Sequence, residues 1–344
     1  MFFFSSLFDF YLGFRLFDAA VLFYIILTLL LSNHRLRIRK NMLFSIIFFV
    51  IINLIIFLFG RENSAGLGGL YGVLIILITF LVVKMKINNI ETIHVIRDVN
   101  ITLIFHLFFF FTQHGFFLLF NEAIDFRQLS GFGESRITVD YWRPAGLFSE
   151  PAHYCLVVNL ILALRLQLYK KIQKVDLLIF ASVVISGSTG GLFFAVIALV
   201  IATVKYGSQT QKILFFCVLS YIIITSYQSV TEKLSVDSVS FVGRFSSYGL
   251  KEIFQYIGLF GGNFTPDILA SSGIFWIAAK YGLLGIISLV ILITFKLNML
   301  MKLTATYIML STPIFAYMFF IILVHYFLII YEKDINSKSS KPRL

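Results

Sequence analysis

Charge is scarce in this chain: only 13% of its 344 residues are Asp, Glu, Lys or Arg, where an ordinary soluble domain carries roughly 25%. So few charges do not clothe a water-soluble enzyme of this size. The 59% hydrophobic content likewise excludes a disordered polymer. Cysteine occurs twice, as Cys155 and Cys217. Both lie inside apolar runs, which excludes a disulfide scaffold and makes them small apolar fillers. The opening MFFFSSLFDF has neither a basic stretch nor a small-residue cleavage site, so no removable signal peptide is expected.

Several chemical signatures are missing too. There is no G-x-x-x-x-G-K-[ST] to cradle a nucleotide, no Cys/His pair with zinc spacing and no H-E-x-x-H. Asp-x-Asp, which would hold a divalent metal against a nucleotide sugar, is also absent. If the chain is an enzyme, its substrate arrives already activated and protein cations stand in for a metal. The expectation is therefore no cofactor and no metal.

What the chain has is long apolar runs. A helical span needs about 20 mainly apolar residues. Ten runs meet or approach that length: 14–32, 42–59, 67–83, 99–120, 147–168, 175–187, 190–206, 212–229, 272–295 and 304–331. The reading is all-α: a polytopic membrane protein with about ten transmembrane helices, forming one domain over 1–344. The 41 phenylalanines are lipid-facing and packing material. The sixth run is short for a crossing and forms a tight pair with the seventh around Ser186–Gly191.

Loop charge orients the chain. Loops 32–41, 84–98, 165–176, 205–212 and 296–302 hold 15 Lys/Arg against 3 Asp/Glu, whereas 60–66, 121–150 and 230–270 hold 7 against 10. Lys/Arg excess marks the cytoplasmic side. The first group is therefore inside, and the two large loops, 121–150 and 230–270, are extracytoplasmic. This asymmetry also accounts for the net charge of +11 without nucleic acid, since no soluble domain carries a basic stripe. The tail, with Lys333, Lys338, Lys341 and Arg343, is the exception: ten spans place it outside.

The most informative segment runs from Arg143 to Tyr154, out of the first large loop and into the fifth span. Pro151 suits a first helical position, where its missing N–H costs nothing. Ser149 or Glu150 then falls at the cap, near the positive end of the helix dipole. His153 follows in the first turn, three residues after Glu150. A cation, a carboxylate and an imidazole thus gather at the outer membrane boundary. The bland alternative is Glu150 capping the helix and pairing with Arg143; a lone Glu-x-x-His metal site lacks further ligands.

In the second large loop, residues 244–257 read as an amphipathic helix. Leu250, Ile253, Phe254 and Ile257 share one face, and Arg244, Tyr248 and Lys251 the other. It serves either as an interfacial anchor whose cations touch lipid phosphates or as a diphosphate clamp. Lys280 lies inside an apolar run, buried as a functional charge or snorkelling to the surface. His106, His114 and His325 read as packed or interfacial residues.

Arg143-Pro-x-Gly-x-Phe-Ser-Glu150-Pro-x-His153 resembles the motif that precedes a mid-chain span in bacterial O-antigen polymerases of the Wzy type. Ser186-Gly-Ser-Thr-Gly-Gly191, Gly243-Arg244, Gly261-Gly262 and Tyr281-Gly-Leu-Leu-Gly285 resemble later features of that family in the same order. The resemblance covers roughly residues 140–290. Related O-antigen ligases carry a functional histidine in their last large outer loop. Residues 230–270 contain none, which favours polymerase over ligase.

The resemblance implies a glycosyltransferase at the periplasmic face of the bacterial inner membrane. Its donor and acceptor would be undecaprenyl-diphosphate-linked oligosaccharide repeats, within membrane lipid and beside a chain-length regulator of the Wzz type. It implies Arg244 and Arg143 as stabilisers of the leaving diphosphate, with Arg136, Lys251 and Lys280 in support. Glu150 or His153 is then the base. Tyr141, Trp142, Tyr248 and Trp276 suit stacking on sugar faces, or equally an aromatic belt. The alternatives are an O-antigen ligase and a transporter or flippase of lipid-linked or anionic solutes. The repeat-unit sugars are not legible.

Overall fold

The structure, a computed structural model, describes residues 92–129, 142–210 and 299–310, with isolated positions elsewhere. The chain forms two compact units, one of Met1–Asn33, Thr79–Phe215 and Tyr317–Leu344 and the other of His34–Ile78 and Phe216–Ala316. Among the described residues every element is helical: α1 (Thr92–Phe120), α2 (Phe126–Leu129), α3 (Pro151–Tyr169), α4 (Lys174–Ile185), α5 (Thr189–Tyr206) and α6 (Met299–Leu310). The first five belong to the first unit, and α6 to the second.

Three of these helices, α1, α3 and α5, are long and apolar enough to cross a membrane. They correspond to the runs expected at 99–120, 147–168 and 190–206. With 29 residues, α1 is about 44 Å long at 1.5 Å per residue, ample for a hydrocarbon core of about 30 Å. The run at 175–187 becomes the 12-residue α4, about 18 Å long and too short to cross. The last expected run, 304–331, overlaps α6, which starts at Met299. The other expected spans lie wholly or largely outside the described residues.

At the centre of the first unit, α3 packs against α1, α4 and α5. Its sequence is apolar nearly all round, the pattern of an interior helix, and it is buried without interruption from Tyr154 to Gln167. On α5 the buried residues are Gly191, Phe194, Ala195, Ala198, Leu199, Ala202 and Thr203, four of them glycine or alanine. Small side chains let helix backbones approach in a membrane, where packing rather than hydrophobicity drives association. The approach is closest at Gly191, where an added Cβ would sit 2.6 Å from Cys155 Cβ. Helix α1 is two-faced. Val95, Val99, Leu103, His106 and Phe110 are buried, while Ile101, Ile104 and Phe108 are exposed and suited to lipid.

A polar clamp closes the far end of α3. Arg165, counted above among the loop charges, lies within α3 and is buried. Its Nε donates to Asp176 Oδ1 at 2.7 Å and its Nη2 to Gln173 Oε1 at 2.8 Å, and Nη1 donates to Asn100 Oδ1. Asn100 in turn donates to Tyr169 Oη at 3.0 Å. The second oxygen of Asp176 takes the Gln173 N–H at 2.8 Å, completing a reciprocal cap on α4. The buried ion pair thus joins α3 to α4, and the hydrogen bond to Asn100 brings in α1. Nearby, Tyr326 Oη donates to Asp98 Oδ2 on α1 at 3.0 Å.

Candidate functional site

At the other end of α3, the segment 142–150 is laid against α1 by a single glutamine. Gln113 Oε1 accepts the backbone N–H groups of both Ala145 and Gly146 at 2.8 Å, and its Nε2 donates to Ile124 O at 2.7 Å. Gly146 has φ +62, the left-handed region that glycine enters without penalty. Pro144 to Phe148 are buried, with the Phe148 ring 5.2 Å from that of His106. Trp142 lies flat on Phe117, centroids 4.2 Å apart, and its Nε1 donates to His114 Nδ1 at 3.1 Å. His106 and His114 are therefore packing partners of this segment.

The segment ends in the start of α3. Glu150 is the N-cap by backbone, with φ −151 and ψ 155, and Pro151 occupies the first helical position. The Glu150 side chain makes no capping hydrogen bond. Its Oε1 lies instead 3.3 Å from His153 Nε2. The other ring nitrogen, Nδ1, is hydrogen-bonded to Ser149 Oγ at 3.0 Å. Hydroxyl, imidazole and carboxylate form one chain of contacts at the N-terminus of a helix long and apolar enough to cross a membrane. Both ionisable side chains are about a quarter exposed, His153 at 19% and Glu150 at 28%, so the chain borders solvent yet is shielded on its inner side.

Arg143 crosses to the turn between α4 and α5. Its Nε donates to Ser186 O at 3.3 Å and its Nη2 to Gly187 O at 2.9 Å. A guanidinium suits the terminal carbonyls of α4, where the helix dipole is negative. Gly187 adopts φ +64 there, and a Cβ on it would lie 3.3 Å from Arg143 Nε. The turn then starts α5 through Ser188, whose side chain accepts Gly191 N–H at 3.4 Å. Ser186 Oγ also pairs with Cys155 Sγ at 2.9 Å, so this cysteine is hydrogen-bonded as well as space-filling. The segment 142–150, the start of α3 and the 186–191 turn make one bonded end.

Of the residues singled out in the sequence, the structure brings Glu150 and His153 into contact and sets Arg143 and Trp142 in the same segment. Arg136, Tyr141, Arg244, Tyr248, Lys251, Trp276 and Lys280 lie outside the described residues, as does the amphipathic stretch 244–257. Sequence reasoning named Ser149 only as a cap candidate, not as a partner of His153, and missed Gln113. Ser149 stands four residues before His153, a visible helical spacing. Gln113 is a polar residue within a Phe-rich run and gave no local signal. Among the described residues no three His, Cys, Asp or Glu side chains are placed to share a metal. No family model, curated protein sequence or solved structure matches the chain.

Proposed function

We propose that the chain is an O-antigen polymerase of the bacterial inner membrane. In this reading it has about ten spans and joins undecaprenyl-diphosphate-linked oligosaccharide repeats at the periplasmic face, without nucleotide or metal. The observation that carries the reading is the Ser149–His153–Glu150 chain of contacts at the head of a membrane-spanning helix. It lies in the segment whose sequence resembles that family. A carboxylate held at this depth, against an imidazole and beside solvent, is suited to taking a proton from a sugar hydroxyl.

The step balances simply. The acceptor hydroxyl of the incoming repeat gives its proton to Glu150, and its oxygen forms the new bond to the anomeric carbon of the growing chain. The bond from that carbon to the undecaprenyl diphosphate breaks, and the diphosphate leaves with the electron pair. His153 orients Glu150 or replaces it as base. Arg143, with two donors committed to backbone carbonyls, secures the loop. The leaving diphosphate then falls first to Arg244, whose fork geometry matches phosphate oxygens, with Arg136, Lys251 and Lys280 in support. Trp142, backed by Phe117 and tethered to His114, is a rigid aromatic surface suited to a sugar ring.

Purified protein in lipid, given one lipid-linked repeat with EDTA present and no nucleotide sugar, is expected to produce a ladder of rising length. Transfer only when lipid A core is added would make the chain a ligase. Movement of the unchanged repeat across the bilayer would make it a transporter.

A further inference from the structure

The contact between Glu150 and His153 raises the question of which ring nitrogen carries the proton, and the residue just before Glu150 supplies the answer. We propose that Ser149 is a positioning residue: its hydroxyl, hydrogen-bonded to His153 Nδ1, holds the imidazole as the Nε2–H tautomer facing Glu150. An ionised carboxylate only accepts, so the nitrogen 3.3 Å from Glu150 Oε1 is the one that carries hydrogen. A neutral imidazole has a single N–H, which leaves Nδ1 as an acceptor. The Ser149 hydroxyl, 3.0 Å away, rotates to donate to it.

The local backbone favours this arrangement. Pro151 at the first helical position has no N–H, so the helix start offers the Glu150 carboxylate one donor fewer, and that carboxylate makes no capping bond. Its Oε1 lies 3.3 Å from the ring Nε2. Ser149 and His153 are four residues apart across the helix start. With His153 at 19% exposure, water alone does not enforce one tautomer on both sides of the ring. Without the serine hydroxyl only the Glu150 contact favours Nε2–H, so the Nδ1–H form gains population, with an Nε2 lone pair turned toward Glu150. That repulsion would swing the carboxylate away from its position.

The tautomer assignment rests on the two ring contacts and a neutral imidazole; its consequence for catalysis rests on the polymerase reading. The two are separated by one experiment with two readouts. The protein is labelled with 15N-histidine and placed in lipid bilayers, and the His153 signals are identified by their loss in His153→Asn. Solid-state NMR of the wild type is expected to show a single Nε2–H form. Ser149→Ala should populate both tautomers, and Ser149→Thr, which keeps the hydroxyl, should restore one. In the chain-elongation assay Ser149→Ala should lower kcat by about tenfold with KM unchanged, and Ser149→Thr should recover most of it. A tautomer shift in a protein without elongation activity supports the role of Ser149 and removes the polymerase reading. A wild-type spectrum in Ser149→Ala overturns the proposal. So does covalent labelling of Ser149 by a fluorophosphonate, which would make it a nucleophile.

Discussion

Asp176→Ala tests the buried clamp that ties α1, α3 and α4 together. The wild-type carboxylate is fully buried and faces a guanidinium that is 2% exposed. Deleting it leaves Arg165 with Asn100, Gln173 and the Tyr169 ring at 5.0 Å, and without the counter-charge bonded to it. Breaking a buried pair from one side costs about 3–5 kcal/mol. Loss of the reciprocal cap at the start of α4 adds about 1 kcal/mol. The expected destabilisation is therefore about 4–6 kcal/mol, and the remaining polar partners of Arg165 pull it toward the lower figure. Reversible SDS titration in mixed micelles, followed by far-UV circular dichroism, reads it directly. The double variant Arg165→Leu/Asp176→Leu removes both charges and should be more stable than either single variant, because no unpaired charge is left inside. An Asp176→Ala protein within about 1 kcal/mol of wild type would refute the clamp, since a truly buried pair does not break that cheaply. Additive losses in the double variant would refute the coupling.

Other consequences are equally direct. Gly191→Ala drives a methyl to within 2.6 Å of Cys155 Cβ and should cost about 1–3 kcal/mol by overpacking; an unchanged melting temperature in detergent would mean that α3 and α5 are further apart. Gln113→Leu strands two buried N–H groups, at about 1–3 kcal/mol each, and should lower the melting temperature and shorten the polysaccharide; full-length product from a stable variant would separate the loop from the chemistry. Gly187→Ala forces a left-handed alanine, at about 1–2 kcal/mol, against Arg143, so a fall in activity larger than that of Gly190→Ala is expected, and equal activity of the two would count against Arg143 securing the site. Arg143→Lys keeps the charge yet loses one of the two carbonyl bonds, and partial activity is expected in the elongation assay; wild-type activity would reduce Arg143 to a point charge.

How much of this was legible beforehand varies with the range of the interaction. Pro151 at the first helical position and the Ser186–Gly191 break followed from local backbone chemistry, and both are found as read. The shortness of the helix before that break was visible in the run length. Ser149 or Glu150 was expected to cap α3. Glu150 does so by its backbone, while its carboxylate turns to His153, because proline removes a donor and an imidazole sits one turn away. Longer-range partnerships left no trace in the pattern. Gln113 meets residues 32 and 33 positions away, and Arg143 reaches carbonyls 43 and 44 positions away. Arg165 fell both in the expected run 147–168 and in the loop count 165–176; it lies within α3, where a buried counter-ion holds it.

The account stands or falls on Glu150. Wild-type protein and Glu150→Ala, each shown to be folded and inserted in lipid, are given the same undecaprenyl-diphosphate-linked repeat, and the products are sized on a gel. The account predicts a ladder from the wild type and unextended repeat alone from the variant. A Glu150→Ala ladder matching the wild type in length and rate would contradict it.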